Sequence, residues 1–102
     1  MCEYYKWEYH KENIGTGKVV ATLRNRNGVK ILDVYEGINF LYIMSGHSFI
    51  KPIAIDYSEI SRHVNSEQLG NVSRAEQMLY QGCKLVENRY KEQVESLKKI
   101  IF

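Results

Sequence analysis

From Val72 onward the apolar side chains fall at Val72, Ala75, Leu79, Cys83, Val86, Tyr90, Val94, Leu97 and Ile101, separated by steps of three and four. That spacing lines one face of an α-helix and predicts a long helix over residues 72–102. Ser73 followed by Glu76 fits a capping box, and Lys98 and Lys99 put positive charge in the last turn, against the exposed carbonyls. Glu87 with Lys91, and Glu95 with Lys99, are i,i+4 pairs in the favourable order. Gly82 is the weak helix former of the run, at about 1 kcal/mol relative to alanine.

The stripe changes width along its length. Met78, Gly82 and Leu85 broaden its first half, as expected of a helix that lies on a sheet through Ala75, Leu79, Cys83 and Val86. The second half narrows to Tyr90, Val94, Leu97 and Ile101, a seam better suited to another helix. At about 1.5 Å per residue the helix would exceed roughly 40 Å, whereas a domain of this size has a radius of gyration near 13 Å. Part of it is therefore expected to overhang its own core.

The first 55 residues follow a period of two. Residues 2–9 read as a strand with Tyr5, Trp7 and Tyr9 on one face. These three rings either cover one end of the core or form an aromatic surface for a base or a peptide. Residues 18–26 and 29–36 flank Asn27-Gly28, the dipeptide favoured in a two-residue type I′ hairpin. The implied register pairs Leu23 with Leu32 and Ala21 with Val34 on one face, Thr22 with Asp33 and Arg24 with Ile31 on the other. Residues 38–44 are apolar on both faces, which predicts the central strand. After a turn at 45–48 comes a strand over 49–55, which Pro52 confines to an edge or a bulge. Asp56 and Glu59 suggest a short helix over 56–64 with Ile60 and Val64 turned inward, and 65–70 makes a polar corner. The expected fold class is α+β: an antiparallel meander of four to five strands, a short helix and one long C-terminal helix, all in a single domain over 1–102.

Composition changes this picture little. Hydrophobic content of 44%, charged content of 25% and a net charge of +2 describe an ordinary globular chain and do not by themselves call for nucleic acid. Eight tyrosines are the compositional oddity. Two cysteines make no disulfide framework, no apolar leader opens the chain, and no run approaches the ~20 apolar residues of a membrane span, so a cytoplasmic protein without membrane association is expected.

Candidate chemistry is sparse. Gly15-Thr16-Gly17-Lys18 lacks the glycine and hydroxyl positions of a phosphate-binding loop and reads as a turn. Cys2, His10, His47, His63 and Cys83 are scattered singly, without metal-ligand spacing, so no metal site is expected and no cofactor is implied. Cys83 sits on the apolar stripe, where a small buried hydrophobe is expected instead of a nucleophile. Asp33, Glu36, Asp56 and Glu59 present no acid–base pair on an apolar face, and the chain is not expected to be an enzyme.

The leading expectation is a non-enzymatic macromolecule-binding protein with a protein partner, a homodimer through Tyr90, Val94, Leu97 and Ile101. Size and a Tyr-, Lys- and Asn-rich composition suggest a phage-encoded inhibitor of a host factor. A second expectation is nucleic-acid binding by Arg24, Arg26 and Lys30 at the hairpin tip. A third is a small-ligand pocket under the sheet, with His47 among Tyr35, Tyr42 and Tyr57.

Overall fold

The computed structural model describes residues 5–43, 50–64 and 73–101, with side chains up to Leu97. Met44, the turn at 45–48 with His47, Phe49, the corner at 65–70, Val72, Phe102, Cys2 and the side chains of Lys98, Lys99 and Ile101 lie outside the described residues.

The fold is α+β, as the sequence pattern predicts. Strands β1 (Tyr5–Tyr9), β2 (Ala21–Asn25), β3 (Lys30–Glu36), β4 (Phe40–Ile43) and β5 (Ile53–Asp56) form one antiparallel sheet in chain order. Helices α1 (Tyr57–Ser61) and α2 (Arg74–Ile101) follow. In this meander β3 is the middle strand and β4 lies one in from the edge, which corrects the expectation that 38–44 is central. Its apolar run is shortened because Ile38 belongs to the turn: Gly37 N–H donates to Phe40 O at 2.7 Å, and Ile38 is left 91% exposed between them. β5 is an edge strand beginning just after Pro52, where the missing donor does no harm.

The β2–β3 hairpin keeps the anticipated register at its base, Ala21↔Val34, Thr22↔Asp33 and Leu23↔Leu32, then slips by one residue so that Arg24 faces Lys30 instead of Ile31. The turn accounts for the slip. Gly28 N–H donates to Asn25 O at 3.0 Å, and the Asn25 side-chain oxygen accepts from the backbone N–H of Asn27 (2.9 Å) and of Val29 (3.0 Å). Gly28 has φ of 82° and Asn27 does not have positive φ. The connection is thus a three-residue loop that uses Gly28 in the left-handed region, and not the two-residue type I′ turn, which needs two such residues. Ile31 is the extra residue on its strand.

Pairing and alternation sort the sheet into two faces. Trp7, Leu23, Leu32, Val34, Leu41, Ile43, Ile53 and Ile55 share the face under α2, where they join Leu79, Cys83, Val86 and Ile60 of the helices in one core. Ala75, expected in that contact, is exposed, so the helix enters the core one turn later, at Leu79. Gly82 has a packing reason that its helix propensity conceals. A Cβ there would run into Leu41 Cδ1 and stand 3.0 Å from Ile60 Cδ1, so glycine lets the helix backbone approach β4 and α1 closely.

Ser73 Oγ accepts from Glu76 N–H at 3.2 Å, which satisfies one amide of the first turn of α2. The Glu76 carboxylate lies 3.6 Å from Lys11. Asp56 makes no side-chain cap on α1, whose first amide, Tyr57 N–H, instead continues the β-ladder to Asn39 O at 2.9 Å. The expected Glu87–Lys91 pair is present at 2.8 Å.

Twenty-eight residues of α2 make a rod of about 42 Å, nearly the 45 Å long axis of the molecule, against 26 and 25 Å across. Much of the expected overhang is taken up within the chain. Tyr90, Val94 and Leu97 are half-buried against the core, and Gln93 ties the helix to the lead-in of β5. Its side-chain oxygen accepts from Lys51 N–H at 2.7 Å while its amide donates to Lys51 O at 3.3 Å. That side chain occupies the place of a strand neighbour for Lys51.

Candidate functional site

The two aromatic groups of the sheet lie on opposite faces. Tyr5, Trp7 and Tyr9, foreseen either as core cover or as an aromatic surface, are half-buried under α2. The Tyr5 ring meets Tyr90 edge-on at 5.9 Å, Tyr9 meets Tyr80 at 4.7 Å, and Trp7 Nε1–H donates to Glu87 at 2.8 Å. Burial, with Cys83, Tyr80 and Glu87 nearby, pushes the Tyr9 hydroxyl up to about 12. Trp7 and Tyr9 also stack on each other at 6.3 Å with 14° between planes, and all three rings act as cover for one end of the core, tied to the helix through their edges and the Trp7 N–H.

The opposite face carries Tyr35, Phe40 and Tyr42, and among the described residues no helix packs on it. Tyr35 and Tyr42 are directly paired across β3 and β4 and stack at 5.6 Å with 23° between planes. Phe40 lies 5.4 Å from Tyr42 and covers Gly37, whose missing Cβ leaves space for the ring. With exposed Ile38 in the adjoining turn, these side chains form an apolar patch at one end of the open face.

The other end of that face is polar. Thr22, only 3% exposed, donates to Asp33 Oδ1 at 2.9 Å while its oxygen faces His10 Nε2 at 3.2 Å. Lys30 pairs with Asp33 at 3.0 Å, and Arg24 reaches Glu8 at 3.5 Å and donates to Gly28 O at 3.0 Å. The hairpin cations named from the sequence are therefore brought together, but Arg24 and Lys30 are already matched to acids, and only Arg26 extends without a partner among the described residues. The His10–Thr22–Asp33 chain had no sequence signal beyond the Thr22–Asp33 pairing, because His10 joins it from the residue just past the end of β1.

A small pocket of about 120 Å³ lies on the helix side, between the β3–β4 turn end of the sheet and the first turns of α2. Ile14, Glu36, Leu41, Tyr57, Ala75, Met78 and Leu79 line it. Asn13 and Thr16 are joined by a turn with Gly15 at φ of 82°, and this presents Gly15 N–H to Glu36 Oε1 at 2.7 Å. Tyr57 O–H donates to Glu36 Oε2 at 3.1 Å, and burial with the carboxylate beside it raises the Tyr57 hydroxyl far above its ordinary range. Tyr57, expected beside His47, Tyr35 and Tyr42, thus lines a pocket with none of those tyrosines, which stand on the other face.

Cys83 is wholly buried in the core, and desolvation raises its thiol strongly, which keeps it from thiolate chemistry. Among the described residues no group of His, Cys, Asp and Glu has the arrangement of a metal site, and no helix is long and apolar enough to cross a membrane. Comparison with known protein families, curated proteins and solved structures found no match for this chain.

Proposed function

We propose that this chain is a non-enzymatic protein-binding module whose contact surface is the open-face patch of Tyr35, Ile38, Phe40 and Tyr42. The observation that carries the reading is an isoleucine 91% exposed at a turn beside a row of three rings, Tyr35 stacked on Tyr42 and Phe40 tilted against Tyr42. Tyrosine and phenylalanine supply large contact area at small cost in conformational freedom, and such rings dominate binding energy at protein interfaces. An occluding partner of this kind acts as an inhibitor when the surface it covers is functional.

Photo-crosslinking tests the patch. With Ile38 replaced by benzoylphenylalanine, cells of the native host should yield one discrete adduct that disappears when Tyr42→Ser is added. Absence of any adduct, or an adduct indifferent to Tyr42→Ser, overturns the reading.

A homodimer through the helix is a second reading of the same class, favoured by the surface that Val94 and Leu97 retain on the narrow side of α2. Light scattering separates the two. A mass of twice 12.0 kDa that is lost in Val94→Glu/Leu97→Glu belongs to the helix, and one lost in Ile38→Glu/Tyr42→Ser belongs to the sheet.

A further inference from the structure

The pocket beside Glu36 combines an apolar wall with a carboxylate that has no counter-cation among the described residues. Ile14, Leu41, Met78 and Leu79 supply hydrocarbon to its lining, together with Ala75, which is itself exposed. Its volume of about 120 Å³ is near that of an engineered cavity of ~150 Å³ that holds benzene. One ring, or a chain of about four to six carbons, fills such a space.

The polar end of the pocket is specific. Glu36 is held by two donors from different parts of the chain, Gly15 N–H at 2.7 Å and Tyr57 O–H at 3.1 Å, so its orientation is fixed. Each carboxylate oxygen accepts more than one hydrogen bond, which leaves acceptor capacity on both. Among the described residues no Lys, Arg or His lies within ion-pair distance of it, although Glu8, Asp33, Glu59, Glu76 and Glu87 all have such partners. A fixed, uncompensated negative charge beside hydrocarbon complements a cation on an apolar body.

We infer that this pocket binds a primary ammonium group carried on a short apolar body, with Glu36 as its counter-ion and the Met78–Leu79 turn of α2 as its apolar floor. The ammonium completes the hydrogen bonds that Gly15 and Tyr57 leave open on Glu36, and the hydrocarbon displaces water from Ile14, Leu41 and Met78. This site lies on the helix side of the sheet and is independent of the open-face patch.

The probe is benzylamine, with benzyl alcohol and benzoate as neutral and anionic controls of the same shape, added to the full chain labelled at methionine methyls. Benzylamine should shift the Met78 methyl resonance saturably at millimolar concentration and bind about tenfold more tightly than benzyl alcohol, the ratio expected of one charged hydrogen bond. Glu36→Gln keeps an oxygen for Gly15 N–H and should erase that tenfold preference. Ala75→Leu, at an exposed position of the lining, should block all three probes while leaving the melting temperature close to that of the parent, so that loss of binding cannot be mistaken for loss of fold. Nα-acetyl-lysine methylamide separates the two sources of an ammonium: tighter binding than benzylamine assigns the pocket to a partner's lysine, weaker binding to a free amine. Equal binding of benzoate and benzylamine, a tenfold preference that survives Glu36→Gln, or no saturable shift of Met78 overturns the inference.

Discussion

The two faces of one sheet carry nearly the same number of aromatic rings and use them in opposite ways. Under α2, Tyr5, Trp7 and Tyr9 are pinned by Tyr90, Glu87 and Tyr80 from the helix. On the open face, Tyr35, Phe40 and Tyr42 have mainly one another. Rings fixed between layers contribute to stability, whereas rings that only stack side by side keep surface for a partner. The difference lies in the second layer, since residue type and strand alternation are alike on both faces.

Substitutions should separate the faces by size of effect. Leu23→Ala, at the centre of the covered face and wholly buried, should lower unfolding free energy in urea by about 2–5 kcal/mol, the loss of buried methyls plus a cavity. Trp7→Phe removes the hydrogen bond to Glu87 and should cost about 2 kcal/mol. A double-mutant cycle with Glu87→Ala, which removes the acceptor, should recover most of that as coupling between the two residues. Gln93→Ala unties the helix from Lys51, for about 1 kcal/mol by the same measurement, with faster amide exchange at Lys51. Tyr42→Ala on the open face should stay within about 1 kcal/mol of the parent while abolishing the crosslink at position 38. A cost for Tyr42→Ala as large as that for Leu23→Ala would erase the distinction and make the open face structural.

Alkaline pH sharpens the same comparison. The Tyr9 hydroxyl is pushed from an ordinary value near 10 up to about 12 in the folded chain, so between those values the folded state holds a proton that the unfolded state releases. Stability from this group is complete below about pH 10 and is lost as pH rises toward 12. Melting curves over that window should fall less steeply for Tyr9→Phe than for the parent, and an unchanged slope would remove Tyr9 from the alkaline transition.

Much of the fold is legible in the chain because the signals are local. The period of three and four from Leu79 to Leu97 marks the helix face, and the pairing of Leu23 with Leu32 and of Ala21 with Val34 follows from alternation on either side of Gly28. The slip at Arg24 was hidden by the Asn27-Gly28 dipeptide, although Asn25 carries a readable signal, since Asn favours the first position of a type I turn. Ile38 misled because a bulky apolar residue next to an apolar strand suggests more strand, whereas the backbone contact from Gly37 to Phe40 leaves it outside. The pocket was not legible at all. Glu36 is oriented by Gly15 and Tyr57, each 21 residues away in opposite directions along the chain, and no short-range pattern connects them.

By itself the sequence determined the element types, their order and which side chains share a strand face, because those depend on backbone periodicity and on turn residues within a few positions. Only the tertiary structure decided on which face of the sheet α2 would lie, and with it which aromatic group became core cover and which stayed open. That choice rests on contacts across some 80 to 85 residues of chain, Trp7 with Glu87 and Tyr5 with Tyr90, and on the absence of a side chain at Gly82, where α2 must approach Leu41 and Ile60. Burial energy and close packing are properties of the assembled layers, so no stretch of chain holds them alone.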